Sequence, residues 1–390
     1  MSIDELVHNS EAMLAQFVGF DTTSSRSNLV MIDAMDAQLK TLGARTRRFL
    51  SPDGTKANLF ASIGPNVPGG VVLSGHTDVV PCDGQPWTTD PFNLTLKSGR
   101  LYGRGTADMK AFIACAMAAA PTFTAIDLRR PVHFAWSYDE EVGCTGAPAM
   151  IQGIAGDLPA PSGVIVGEPT GMKIVSAHKG VQVTQVRVIG HAAHSSLTHL
   201  GISANMIAAR LMAKLVEIQE GLVLAVDPAS PFEPRHATLT IGQIHGGTAV
   251  NILAPECNFV FDLRVTPDLS ADQVLAPFYD LATRLSAQMR ELFPESGVEW
   301  AVTAAVPAFM PEVDGAAAAL ARRLTGDNHE MRAVPFGSEA GQFQQAGFST
   351  VICGPGSIEQ AHQPNEYIER DQIAVCAQSM LRLAEILSST

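Results

Sequence analysis

Aromatic residues make up only 6% of this 390-residue sequence and charged residues 17%, and cysteine occurs at six positions with no CxxC pair. Cys82, Cys115, Cys144, Cys257, Cys353 and Cys376 lie far apart, several in apolar stretches where a free thiol behaves as a small hydrophobe, which suits a reducing cytoplasm. Basic charge is also short: 26 Lys and Arg against 39 Asp and Glu give a net charge of -13. Nucleic acid and anionic membranes select for clustered Lys and Arg, so neither is expected as a partner. No apolar run is long enough for a bilayer, the longest (111–120) reaching about half the required length. The opening MSIDELVHNSEAMLAQFVGF carries Asp4, Glu5 and Glu11 and reads as an amphipathic helix, not as a basic leader, so a cytoplasmic location is expected. Internal repeats and low-complexity segments are absent from the sequence as well.

What is present is apolar material in quantity. Hydrophobic residues are 46% of the chain, ample surface to offset the entropy of folding, and the length exceeds what one core usually organises, so two domains are expected. Up to about residue 180, short apolar runs at 71–73, 132–136 and 163–166 read as buried strands, with a helix at 108–120 between two of them. That alternation predicts an α/β layer with a mostly parallel sheet. From 181 to 304 the pattern changes to strands at 181–189, 237–245, 256–265 and 297–304 and helices at 202–220 and 271–292, in the order βαββαβ. This predicts a ferredoxin-like unit inserted into the first domain, which 1–180 and 305–390 together compose.

Several motifs sit where those strands end. In VVLSGHTDVVP the spacing of His76 and Asp78 puts both side chains on one side of an extended backbone, one able to bind metal and the other to hold it; two polar residues meeting solvent give the same pattern. In YGRGTADMKA a glycine turn delivers Asp108 to a helix start, as a ligand or as a cap. The glycines lack the third member that dinucleotide binding requires. Asp139, Glu140 and Glu141 crowd one strand end, a costly arrangement without a cation unless the turn is fully solvated. Adjacent residues face different ways, so Glu141 can bind metal while Glu140 takes a proton from water. Glu168 in GEPT and His362 in AHQPNEYI complete a set of two His and three carboxylates suited to zinc or a similar divalent ion. A carboxylate shared between two such ions would let them act on one water.

SGHTDVVP, GRGTADMKA, DEEVG, GEPT, GHAAHSS, GGTAVNILAPE and HQPNEYI, in this order and spacing, resemble the zinc-dependent aminoacylase and deacylase (M20) metallopeptidase family over almost the whole chain. The resemblance implies a zinc-exopeptidase-like catalytic domain with two Zn2+ per subunit, Co2+ being an acceptable substitute. His76 and Glu168 would hold one ion, Glu141 and His362 the other, and Asp108 both, with Asp78 orienting His76 and Glu140 as general base and acid. It also implies that the inserted unit is a lid and dimerisation domain of a homodimer. His194 would then reach a neighbouring active site to stabilise an oxyanion, the alternative being a turn cap. Asn251, Arg264, Ser338 and Glu339 match substrate positions, although Arg264 in FDLRV can equally pair near Asp262. FGSEAGQFQQAG and HQPNEYI resemble the members that act on acetylornithine more than those that act on succinyl-diaminopimelate or peptides. The implied reaction is hydrolysis of N2-acetyl-L-ornithine to acetate and L-ornithine in arginine synthesis. Another N-acyl amino acid or a small peptide is the nearer alternative, and a non-catalytic binder of acylated amino acids the more distant one.

Overall fold

The computed structural model describes residues 1–330 and 332–389. The chain folds as two compact units, Met1–Ser176 with Phe309–Arg332 and Ser338–Thr390, and Ala177–Ala308 with Ala333–Gly337.

The first unit contributes six neighbouring strands of one sheet, in the order Arg45–Leu50, Ala57–Ile63, Val132–Ser137, Val71–His76, Gly163–Pro169, Thr350–Gly354. The four strands from Val132–Ser137 to Thr350–Gly354 run parallel, and Arg45–Leu50 and Ala57–Ile63 pair antiparallel at one side. Every residue of Val71–His76, Val132–Ser137, Gly163–Pro169 and Thr350–Gly354 is buried, as continuous apolar runs covered on both faces must be. Helices supply that cover. Ile3–Val18 starts on Ser2, whose hydroxyl accepts the amide of Glu5, and it buries Leu6, Leu14, Phe17 and Val18 along one stripe. Lys110–Thr124 is buried almost throughout, and Arg370–Ser388 packs on it.

The second unit has a four-stranded antiparallel sheet in the order Thr238–Gly246, Glu256–Val265, Gly180–Ile189, Gly297–Val306. Helices Ala204–Leu224 and Ala271–Leu292 follow the first and third strands, giving the βαββαβ order, and spatial order 2-3-1-4 is the ferredoxin-like arrangement. Burial alternates residue by residue along Glu256–Val265, whose inward side chains Phe259, Phe261 and Leu263 meet the helices.

The structure departs from the sequence reading in places. Helix Lys110–Thr124 runs through Pro121 instead of ending before it. Asp108 lies ahead of that helix, whose N-cap position is Met109, so it does not cap it. Helix Leu29–Thr41 and the short strands Thr95–Lys97 and Arg100–Tyr102 have no counterpart in the sequence reading. Among the described residues, no helix is long and apolar enough to cross a membrane.

Candidate metal centre

The centre lies at the carboxyl ends of the parallel strands, where open α/β sheets place their ligands. His76 is the last residue of its strand, Glu168 sits near the end of Gly163–Pro169, and Asp139, Glu140 and Glu141 follow Val132–Ser137. Asp108 arrives on the Gly103–Met109 turn. Gly105 there has φ +82°, and a Cβ would meet Val79 at 2.8 Å, so glycine is required. His362 comes from the loop after Thr350–Gly354, itself in the left-handed region at φ 61°.

These side chains form two trios of potential ligands, His76 with Asp108 and Glu168, and Asp108 with Glu141 and His362. One oxygen of Asp108 is 3.0 Å from His76 Nε2 and the other 3.3 Å from His362 Nε2. Glu168 Oε1 stands 3.9 Å from His76 Nε2, and Glu141 Oε2 is 3.0 Å from His362 Nε2. Glu140 Oε2 reaches within 4.0 Å of His76 Nε2. His76 is 1% exposed at its side chain and His362 53%, so the centre opens towards solvent on the His362 side.

Asp78 meets His76 through its backbone more closely than through its carboxylate. His76 Nδ1 is 2.9 Å from the backbone carbonyl of Asp78 and 3.6 Å from its carboxylate. That carboxylate accepts hydrogen bonds from the Ser24 hydroxyl and the amides of Glu140 and Glu141, tying the acidic turn to the His76 strand. Lys56 neutralises Asp139 at 2.5 Å, leaving Glu140 and Glu141 for the centre. The Cys144 thiol donates to Glu140 Oε1 at 3.2 Å.

The electrostatics show which partner the arrangement fits. Burial, with the charges of Glu141 and Asp108 added, raises Glu140 to about 8 against the pull of His76. Burial and the Asp108 charge raise Glu141 to about 7, and the same two causes push Glu168 well above the carboxylate range. Burial opposes ionisation of Asp108 too, but hydrogen bonds from His362 and His76 outweigh it and hold its carboxyl low. The bond to Asp108, then that to Glu141, raises His362 to about 10. Glu168 Oε1 is buried without a hydrogen-bond partner among the described residues. Four carboxylates around two imidazoles, one with an orphaned oxygen, fit divalent cations and fit no purely protein partner.

Of the other positions named from sequence, His194 and Asn251 lie together in paired loops of the second unit. Ser195 N donates to Asn251 O at 2.9 Å, and both His194 and Asn251 are exposed. His194 Nδ1 is 2.8 Å from Ser196 Oγ. Arg264 donates to both carboxylate oxygens of Asp262. Ser338 and Glu339 are buried, Ser338 Oγ accepting from Ala340 N and Glu339 accepting from Ser74 Oγ. Ser24, Cys144, Arg104 and Glu366 were not singled out by the sequence reading. The last two stand inside the motifs GRGTADMKA and HQPNEYI, which was the available signal.

Fold and centre together are those of a metal-dependent hydrolase. Residues 72–386 match the model of Peptidase family M20/M25/M40, and the chain belongs to that family. It is 35% identical over 383 residues to an acetylornithine deacetylase of Myxococcus xanthus, covering 95% of each chain. An acetylornithine deacetylase of Proteus mirabilis is 33% identical over 366 residues, 94% of this chain and 92% of that one. The fold is similar to that of an M20 family metallo-carboxypeptidase from Sulfolobus solfataricus, with TM-score 0.76 and 16% identity over 97% of this chain and 99% of the other. A dinuclear metal binding peptidase of the family from Bacillus subtilis superposes with TM-score 0.67 and 15% identity, covering 98% of each chain. The chain has M20 amidohydrolase activity and a small-molecule substrate.

Proposed function

We propose that this enzyme hydrolyses N2-acetyl-L-ornithine to acetate and L-ornithine, in arginine biosynthesis. The observation that carries the substrate is the 35% identity to an acetylornithine deacetylase along 95% of both chains. His76 and Glu168 would hold one cation, Glu141 and His362 the second, and Asp108 both, as the two trios sharing Asp108 support. Two Zn2+, with Co2+ as substitute, would supply Lewis acidity and lower the pKa of a water in the centre. Glu140 takes that water's proton as it attacks the acetyl carbonyl and returns it to the departing amine. Asp78 aims His76, as the 2.9 Å approach of Nδ1 to its backbone carbonyl supports, and holds the Glu140 turn, as its carboxylate's bonds from the amides of Glu140 and Glu141 support. His194 stabilises the oxyanion across a homodimer paired through the inserted lid unit, with Asn251 beside it and Arg264, Ser338 and Glu339 as further substrate positions. The proposed location is the cytoplasm.

Acetate release from N2-acetyl-L-ornithine tests the reading, using chelator-stripped protein before and after Zn2+ is restored, beside succinyl-diaminopimelate and a dipeptide panel. Zinc-restored turnover selective for acetylornithine is expected. Selective turnover of another compound overturns the substrate, and no turnover of any compound overturns the assignment.

A further inference from the structure

The strongest cluster outside the ligands lies beneath them. Arg104 and Glu366 form an ion pair at 2.8 Å with both side chains 1% exposed. Buried ion pairs often contribute nothing net to stability, so this one invites a reason of another kind. Glu366 spends its remaining capacity on the turn that carries Asp108. Its Oε2 accepts the amide of Gly105 at 3.0 Å, and its Oε1 accepts those of Ala107 at 2.8 Å and Asp108 at 3.1 Å. Glu366 is also in the loop of His362, whose backbone carbonyl accepts from Gln85 Nε2 at 3.0 Å. Gln85 Oε1 in turn accepts from Arg104 Nη2 at 2.6 Å. One carboxylate and one guanidinium therefore grip both loops that meet in the centre.

We propose that Glu366, held by Arg104, is the positioning residue that sets the Asp108 carboxylate against the His362 imidazole and so fixes the spacing of the second metal position. This rests on the reading of Asp108 and His362 as ligands. Metal ligands must sit within tenths of an ångström of their ideal positions, and three amide bonds to one buried acceptor fix the backbone of a glycine-containing turn to that tolerance. Glutamine at 366 keeps the shape but presents an NH2 where an acceptor is needed, so at least one turn amide loses its partner.

The test is Zn2+ affinity and stoichiometry by competition with a chromophoric chelator, with kcat and KM at saturating Zn2+ and melting of the metal-free protein. The variants are Glu366→Gln, the size-matched pair Arg104→Met with Glu366→Leu, and Asp108→Asn. Zn2+ affinity at one of the two positions is expected to fall about 10- to 100-fold in the Glu366 variants, with kcat reduced and KM kept. The metal-free protein should melt near the wild-type temperature in Glu366→Gln. Unchanged Zn2+ affinity and kcat in Glu366→Gln would overturn the proposal whatever happens to melting, and that variant decides if the paired one does not fold. Retention of both ions by Asp108→Asn would overturn the ligand reading instead, so the two failures are told apart.

Discussion

At the residue scale, Glu140 and Glu141 are chemically identical neighbours set in different surroundings. Glu141 meets His362 at 3.0 Å, whereas Glu140 has no imidazole closer than 4.0 Å among the described residues and accepts from the Cys144 thiol instead. A carboxylate that no imidazole holds, beside the candidate ligands, suits the proposed proton transfer. Glu140→Gln should lower kcat by about 10²- to 10⁴-fold while Zn2+ content and circular dichroism stay at wild-type values. Near-wild-type turnover in that variant would remove Glu140 from the role. Far from the centre, His133 makes a second residue-scale case. It is 1% exposed, with Ser62 Oγ 2.7 Å from Nδ1, and burial followed by the charge of Arg45 lowers it to about 4. Its folded value lies below the unfolded one near 6.5, so the unfolded chain takes up the proton first. The stability concerned is complete above about pH 6.5 and is lost as pH falls through 4, amounting to roughly 3–4 kcal/mol at ~1.4 kcal/mol per pH unit. Urea denaturation at pH 7 and pH 5 should show a smaller drop in His133→Leu than in wild type, and equal drops would remove His133 as a cause.

At the scale of elements, close packing between the first-unit sheet and its helices decides where Glu168 stands. Gly167, immediately before it, lies under Phe112 of helix Lys110–Thr124, and a Cβ at that position would meet the ring at 2.1 Å. Because Phe112 is fully buried it cannot swing aside. Gly167→Ala should cost about 1–3 kcal/mol, read as a lower melting temperature, and should weaken Zn2+ binding because strand Gly163–Pro169 must shift. Unchanged melting would mean that the helix gives way freely. Such contacts mark the boundary of what a sequence discloses. Val71–His76 and Glu256–Val265 were legible because apolar runs and strict alternation state burial directly. Strands Thr95–Lys97 and Arg100–Tyr102 were not, since three residues carry no period, and the latter is held by pairing with the distant Tyr367–Glu369. The motifs that carry the candidate ligands were visible as His and carboxylate residues at or near strand ends. Glu366 stands inside HQPNEYI, but its contacts were not legible there, because its partners are backbone amides more than 250 residues away.

At the scale of the whole molecule, the candidate ligands span His76 to His362, and residues Ala177–Ala308 of the second unit fall in the chain between Glu168 and His362. No local stretch can assemble the centre, so the first unit must fold before Asp108 can meet both imidazoles. The unfolded chain then binds divalent ions poorly, and binding free energy appears as stability. The folded, metal-free protein also carries the cost of carboxylates pushed up by burial and by one another. Both effects have one sign. Chelator-stripped protein should melt several degrees below the metal-loaded form, and free Zn2+ at a hundred times its Kd contributes about 2.7 kcal/mol per site. The melting temperature should keep rising with the logarithm of Zn2+ concentration beyond saturation, and Mg2+, which prefers oxygen ligands, should raise it less. Asp108→Asn removes the shared carboxylate's charge and should flatten the rise without lowering the melting temperature of the stripped protein by a comparable amount. A wild-type melting curve indifferent to both chelator and Zn2+ would show that the cluster holds its charges without metal.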